Sequence, residues 1–313
     1  MEYSEFKSKF HITLNEQQEA AVQKEHGPVL LLAVPGSGKT TVLVTRLGYL
    51  IYCRGVLPKE ILTMTYTVAA TRDMRERFCS VFGEEFRNRL EFRTINGVSA
   101  RIILQYEKTT GHKAFRLEEN SGEISRLLGA IYRAQTSEIP TESDIKNIQT
   151  QITYIKNMLL TDEEIAQMKS GGDYEIAPIY REYCRSMRQA KRMDYDDQMV
   201  YASQILRKCP DILERFQSRY RFFCVDEAQD TSKIQHRLIR QLSGSQPNLF
   251  MVGDEDQSIY GFRAAYPQAL MEFSHVYPGA SVLLMETNYR STPQIVKTAG
   301  RFILQNKKDI QRR

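Results

Sequence analysis

Residues 29–50 constrain the fold more than any other stretch. Val29 to Val34 is an apolar run of strand length that feeds directly into Pro35-Gly36-Ser37-Gly38. Lys39 and Thr40 follow, and Val42, Leu43, Arg46, Leu47 and Leu50 then recur at helical spacing. A strand that turns over glycine into a helix leaves the first N–H groups of that helix without intrahelical partners. The helix dipole adds partial positive charge at the same end, so the turn forms a cradle for phosphate. Lys39 is spaced to reach β- and γ-phosphates, and the Thr40 hydroxyl to ligate Mg²⁺. The general pattern asks for glycine five residues before Gly38, where this chain has Ala33. An ordinary glycine turn is the competing reading, and the strand-loop-helix context favours a nucleotide site.

Composition narrows the class. A chain of 313 residues with 42% hydrophobic content can build two domains with real cores. No apolar stretch approaches the roughly 20 residues needed to cross a bilayer, and Met1 to Lys7 lacks the apolar core of a signal peptide. The five cysteines are dispersed without CxxC spacing, which reads as reduced thiols in a cytosolic protein and not as a disulfide frame or metal cage. Five equally dispersed histidines support no metal site. A net charge of +5 is compatible with nucleic acid and equally with solvated surface.

The texture changes along the chain. Residues 1–103 alternate strand-like and helical patterns, with Ile61 to Thr67 a second candidate strand and Ala69 to Phe82 a helix. Residues 104–190 are charged and mostly helical. Ile124, Leu127, Leu128 and Ile131 share one helical face, as do Ile145, Ile148, Ile152, Ile155 and Leu159. Both stripes read as helix-helix core. Thr161 with Glu164 is a capping-box start, and Gly171-Gly172 a loop before a helix from Ile176 to Lys191. From 220 onward the α/β texture returns, with Phe222 to Val225 and Asn248 to Val252 as short buried strands. The expected fold is therefore α/β, a parallel-sheet nucleotide-binding domain interrupted by a mostly helical insertion.

Each of those later strands ends in carboxylates. Asp226-Glu227-Ala228-Gln229-Asp230 follows the first of them. A carboxylate at the end of a parallel strand sits on the rim where open α/β sheets bind ligands. Asp226 is suited to hold Mg²⁺, partly through water, and Glu227 to deprotonate an attacking water. A solvated acidic turn is the plainer alternative. The second run leads into Gly253-Asp254-Glu255-Asp256-Gln257-Ser258-Ile259-Tyr260-Gly261-Phe262-Arg263. Gln257 has the amide chemistry to sense a γ-phosphate. Tyr260, Phe262 and Arg263 combine aromatic faces with a cation, as base stacking and phosphate contacts on a single strand require.

Taken together these motifs resemble the N-terminal part of UvrD/Rep/PcrA-type superfamily 1 DNA helicases. Leu14 to Val22 is similar to that family's Q motif, and Ala33 is the usual residue at the start of its P-loop. Asp226 to Thr231, Gly253 to Arg263 and Thr287-Asn288-Tyr289-Arg290-Ser291 resemble its second, third and fourth motifs, and Met193 to Asp197 the segment returning to the first RecA-like domain. The resemblance implies a RecA-like domain 1A (1–103 and 191–286), a helical insertion 1B (104–190) and the start of a second RecA-like domain from 287. It implies ATP and Mg²⁺ as cofactors. Phosphates would lie along Pro35, Gly36, Ser37, Gly38, Lys39, Thr40 and Thr41, with Gln18 reading adenine and Tyr289 stacking on it. Arg290 would be an arginine finger. Single-stranded DNA, up to its junction with duplex, would meet Tyr66, Thr67, Thr94, Tyr260, Phe262 and Arg263, and repair or recombination proteins are conceivable partners.

Two motifs depart from the family's pattern. Val68-Ala69 stands where Asn-Lys is common, and Ile95-Asn96 where Phe-His is common, so the contacts of those side chains do not carry over. The resemblance implies ATP-driven 3′→5′ translocation and unwinding in an intact protein. With the second motor domain expected beyond residue 313, the chain reads as a fragment weak or inactive on its own. A helicase-nuclease subunit of the AddA type and a non-motor nucleotide-dependent DNA-binding module are the alternatives.

Overall fold

The computed structural model of the chain describes residues 1–168, 172, 174–245, 247–254 and 264–311, the last nine by backbone alone. Its centre is a sheet of six parallel strands. In chain order these are β1 (Val29–Ala33), β2 (Ile61–Thr65), β3 (Glu91–Thr94), β6 (Phe222–Val225), β7 (Leu249–Gly253) and β8 (Ser281–Met285). The short strands β4 (Arg116–Leu117) and β5 (Arg192–Met193) pair separately. The spatial order β3-β2-β6-β7-β1-β8 places β7 between the glycine-turn strand β1 and the acidic strand β6.

Parallel sheets need cover on both faces, and side chains on successive strand residues point to opposite faces. Leu30, Leu62, Met64, Phe223, Val225 and Met251 accordingly enter one core. Leu31, Ile61, Phe222, Cys224, Phe250 and Val252 enter the other. The edge strand β8 is covered less, with Val282 and Leu284 about half exposed. Strands β3 and β8 have no counterpart in the sequence reading, since Glu-Phe-Arg-Thr and a half-exposed edge lack the continuous apolar run of a central strand. The second strand also stops at Thr65, short of Thr67. There the Thr67 hydroxyl accepts the Ala70 N–H at 3.0 Å and starts the helix Val68–Phe82 as its N-cap.

The helices Ser121–Thr136, Glu142–Met158, Asp162–Ala166 and Ile176–Gln189 build a third core around Leu128, Ile131, Ile148, Ile152, Ile179 and Tyr183. The expected stripe from Ile145 to Ile155 lies in it, whereas Leu159 caps its helix at φ +56° and packs against the sheet-side core. Thr161 and Glu164 form the expected capping box. Of the Gly171-Gly172 loop, Gly171 lies outside the described residues. The helix Ile95–Thr110 runs unbroken past residue 103, and its Val98 and Ile102 belong to the sheet core.

A buried ion cluster fastens the insertion to the sheet domain. Lys156 Nζ lies 2.6 Å from Asp194 Oδ2 and 2.8 Å from Asp197 Oδ1, and the Tyr183 hydroxyl donates to Asp194 Oδ2 at 2.8 Å. Burial works against the Lys156 charge, but the two carboxylates outweigh it and hold the lysine protonated well above its usual range. Asp194 also caps the helix Tyr195–Lys208. Among the described residues no helix is long and apolar enough to cross a membrane.

Candidate nucleotide and nucleic-acid site

Because every strand of the main sheet runs the same way, their carboxyl ends share one edge. That edge receives the turn after Ala33, Tyr66 and Thr67 after β2, Asp226 after β6, Asp254 after β7 and Glu286 after β8. Residues scattered over some 250 positions thus converge by topology.

The turn after β1 depends on glycine at two points. Gly36 has φ +71° and Gly38 φ +87°, the left-handed region that L side chains rarely adopt. A Cβ on Gly36 would come within 2.6 Å of Arg290 Cβ, and one on Gly38 within 3.0 Å of Gln18 Nε2. The Ser37 hydroxyl closes the turn on Val34 O at 2.7 Å. Gly38 is the N-cap of the helix Lys39–Tyr52, so Lys39, Thr40 and Thr41 form its first turn.

Gln18 sits in the capping box of the helix Glu16–Gln23. Its Oε1 accepts the Asn15 N–H at 3.0 Å and its Nε2 donates to Ser37 O at 2.9 Å. An amide oxygen has two lone pairs and an NH₂ two hydrogens. The two local bonds therefore fix the amide's orientation and leave one acceptor and one donor for a ligand. Arg46 ties this helix to the glycine-turn helix. Its buried guanidinium donates to Ala21 O and Val22 O at 3.2 Å each and to Lys24 O, and lies 4.3 Å from the Phe250 ring centroid.

The fourth candidate motif docks on the same turn. The Tyr289 N–H donates to Gly36 O at 2.9 Å, and the Tyr289 hydroxyl accepts from Asn15 Nδ2 at 2.7 Å. Gln17 and Glu286 hold each other through two bonds of 3.0 Å. Asn288 Oδ1 accepts the N–H groups of Arg290 and Ser291, at 2.8 and 2.9 Å. Arg290 is exposed, and among the described residues its guanidinium makes no ion pair.

Opposite the turn lies a group of charges with incomplete partners. Asp226 is buried and its Oδ1 has no hydrogen-bond partner among the described residues. Burial first, and the adjacent Glu227 charge second, raise its pKa to about 7, with Lys39 pulling the other way. Asp230 is raised to about 6 for the same reasons, and its Oδ1 is likewise unpartnered. Lys39 Nζ is 3.9 Å from Asp254 Oδ2. Glu227 takes φ +51° and ψ +48°, costly backbone for a residue with a Cβ. Such strain persists where the surroundings impose it and clusters at functional sites. Among the described residues no three His, Cys, Asp or Glu groups form a cation cage. One hydroxyl and one carboxylate suit Mg²⁺, which usually keeps several waters and uses substrate phosphates as ligands.

A polar groove of ≈650 Å³ separates the sheet edge from the insertion. Tyr66, Thr67 and Asn96 line one wall, Lys146, Gln149 and Thr153 of the helix Glu142–Met158 the other. Thr94 is not in that lining; its hydroxyl caps the helix Ile95–Thr110, accepting the Gly97 N–H at 3.0 Å. Two helix N-termini therefore open toward this edge, the arrangement that favours phosphate. The departures from the family pattern are visible here. Val68 is 76% exposed, Ala69 is exposed, and the buried Asn96 Oδ1 lacks a partner among the described residues. Gln257, Tyr260, Phe262 and Arg263 lie outside the described residues. The sequence reading passed over Gln229 and Asp254 as side chains with roles, although both stood inside quoted motifs; their link appears only once β6 and β7 are adjacent.

A parallel sheet with a glycine-turn cradle after β1 and carboxylates after β6 and β7 on the same edge is a RecA-like P-loop domain. The chain belongs to the UvrD/REP helicase N-terminal domain family, which matches residues 14–278. It is 34% identical over 296 residues to the ATP-dependent DNA helicase PcrA of Bacillus subtilis, covering 94% of this chain and 40% of that protein. It is 31% identical over 300 residues to the putative ATP-dependent DNA helicase YjcD of the same organism, covering 95% and 39%. PcrA of Leuconostoc citreum is 31% identical over 302 residues, with 96% and 40% covered. The chain thus spans about two fifths of the length of these relatives.

Proposed function

We propose that this chain supplies the ATP-binding lobe and part of the strand-binding path of a DNA helicase that moves 3′→5′ on single-stranded DNA. The observation that carries the reading is the shared sheet edge. A left-handed glycine cradle, a lysine resting on a carboxylate and a buried carboxylate oxygen without a partner among the described residues all lie there together. The relatives' printed names point the same way.

In this reading Gln18 offers adenine its remaining donor and acceptor, and Tyr289 covers the base with its exposed ring. Residues Pro35 to Thr41 receive the phosphates, and Lys39 leaves Asp254 for the β- and γ-phosphates. Thr40 and Asp226 would hold Mg²⁺, and the fit that supports it is Asp226 Oδ1, which has no partner among the described residues. Bound there, the ion would neutralise charge developing on the transferred phosphoryl group. Glu227 takes a proton from the water that attacks the γ-phosphorus, and the β–γ bridging oxygen leaves with ADP. Gln257 senses the γ-phosphate and Arg290 stabilises its charge. Single-stranded DNA lies along Tyr66, Thr67 and Thr94, with Tyr260, Phe262 and Arg263 continuing the path to a duplex junction. The division into 1A, 1B and the start of 2A belongs to the same proposal.

Translocation by ATP-driven domain closure needs a second RecA-like lobe, in the same polypeptide or in trans. An arginine finger contributes about 10³-fold or more to turnover, and the exposed Arg290 makes no ion pair among the described residues. The 313-residue polypeptide by itself is therefore expected to bind ATP-Mg²⁺ and turn it over slowly. The test compares ATP hydrolysis by the full-length protein and by this polypeptide, each with and without single-stranded DNA. DNA stimulation in the full-length protein alone is the expected result. Strand separation by the 313-residue polypeptide would overturn the assignment of its reduced activity, and absence of DNA stimulation in both would overturn the helicase reading.

A further inference from the structure

Between the acidic strand ends one side chain makes a connection that no motif role accounts for. Gln229 is 2% exposed. Its Nε2 donates to Glu227 Oε2 at 2.7 Å, and its Oε1 accepts the Asp254 N–H at 3.0 Å. Asp254 in turn sets its carboxylate 3.9 Å from Lys39 Nζ. The amide thus bridges the ends of β6 and β7, which are neighbours in the sheet. Gly253 leaves room for it, since a Cβ there would stand 3.1 Å from Gln229 Oε1. The backbone of Glu227 is held at φ +51° beside this bridge.

We propose that Gln229 is a positioning residue that parks the Glu227 carboxylate and couples it to both the phosphate lysine and the end of β7. The inference rests on the role proposed for Glu227 as general base. One amide cannot follow Asp254 without also moving the carboxylate it holds. When phosphates draw Lys39 from Asp254, Gln229 passes the displacement to Glu227. The base then turns toward the water only when the phosphates are in place. A wholly apolar side chain at 229 severs both bonds. A carboxylate at 229 keeps the acceptor for the Asp254 N–H but meets Glu227 as a like charge. Once protonated, it can donate again.

The experiment measures ATP turnover by the full-length protein, with and without a single-stranded oligonucleotide, for wild type, Gln229→Met and Gln229→Glu. Binding of a fluorescent ATP analogue with Mg²⁺, and of the oligonucleotide, is measured in parallel. For Gln229→Met the expected result is a tenfold or larger fall in the DNA-stimulated rate, with both affinities within about threefold of wild type. For Gln229→Glu the turnover with oligonucleotide is expected to fall about tenfold at pH 8 and to recover toward pH 6, relative to wild type. Wild-type turnover in both variants, or loss of nucleotide binding in step with turnover, overturns the inference. So does a pH profile for Gln229→Glu parallel to that of wild type. If Gln229→Met fails to fold, the pH profile of Gln229→Glu decides. A wild-type protein without DNA stimulation would instead refute the helicase reading on which the inference stands.

Discussion

Two clusters of buried charge among the described residues are built on opposite principles. Around Lys156 each carboxylate has hydrogen-bond partners: the ammonium meets Asp194 and Asp197, Tyr183 donates to Asp194, and Thr153 and Asn157 donate to Asp196. Around Lys39 the answer is partial, with a carboxylate 3.9 Å away and, among the described residues, unpartnered oxygens on Asp226 and Asp230. Burial raises Asp226 to about 7 because no neighbour holds its charged form strongly enough. A closed cluster fixes one domain against another, whereas an open one keeps free energy in reserve for a ligand. The contrast separates structural from functional charge better than burial alone, since both sets are hidden from solvent.

The comparison can be broken most directly at Glu227. In the full-length protein, Glu227→Gln should lower turnover by about 10²- to 10⁴-fold while leaving the affinity for ATP-Mg²⁺ within a few-fold of wild type. A small loss of turnover would remove Glu227 from the open cluster's chemistry. In the closed cluster, Lys156→Met leaves two buried carboxylates without their cation and should cost about 3–5 kcal/mol of stability, read from urea unfolding. Asp226→Asn should leave the nucleotide-free protein as stable as wild type or more so. Equal destabilisation by the two changes would erase the distinction.

Next in size is a pH effect with two opposite signs. Asp226 must lose its proton to hold a cation, so ATP-Mg²⁺ affinity should fall about tenfold from pH 8 to pH 6. Stability of the nucleotide-free protein should move the other way. Asp226 at about 7, and Asp230 and Asp196 at about 6, bind protons in the folded state that the unfolded chain has already released. Their contribution is present at low pH and is lost as pH rises from about 4 through 7. Isothermal titration and thermal melts across that range check both signs. Smallest is Thr161→Ala, which removes a cap on the insertion and should cost about 1 kcal/mol with nucleotide binding unchanged.

Legibility in the sequence followed the same division. The open site was readable because each of its parts is local: a glycine turn between strand and helix, or a carboxylate after an apolar run. The central strands read clearly for a related reason, being buried on both faces. Edge strands β3 and β8 were not read, because polar or half-exposed residues carry no continuous apolar signal. The closed cluster was out of reach in principle. Lys156 and Asp194 are 38 positions apart, and nothing in Lys156's own helix distinguishes it from the solvated lysine at 146. The Gln229 bridge shows the intermediate case, with both partners inside recognised motifs and their contact created only by strand order.

The strand order also bears on how the chain is made. β2 must pair with β6, yet residues 66–221 separate the end of one from the start of the other. At about 5–20 residues per second of synthesis, β2 and its earlier neighbour β3 wait roughly 10–30 s for β6, with Leu62 and Met64 short of the rest of their core. During that interval the self-contained helical insertion can fold first on the ribosome. The half-built sheet is then the moment of greatest exposure to chaperones, and to mispairing with other nascent chains.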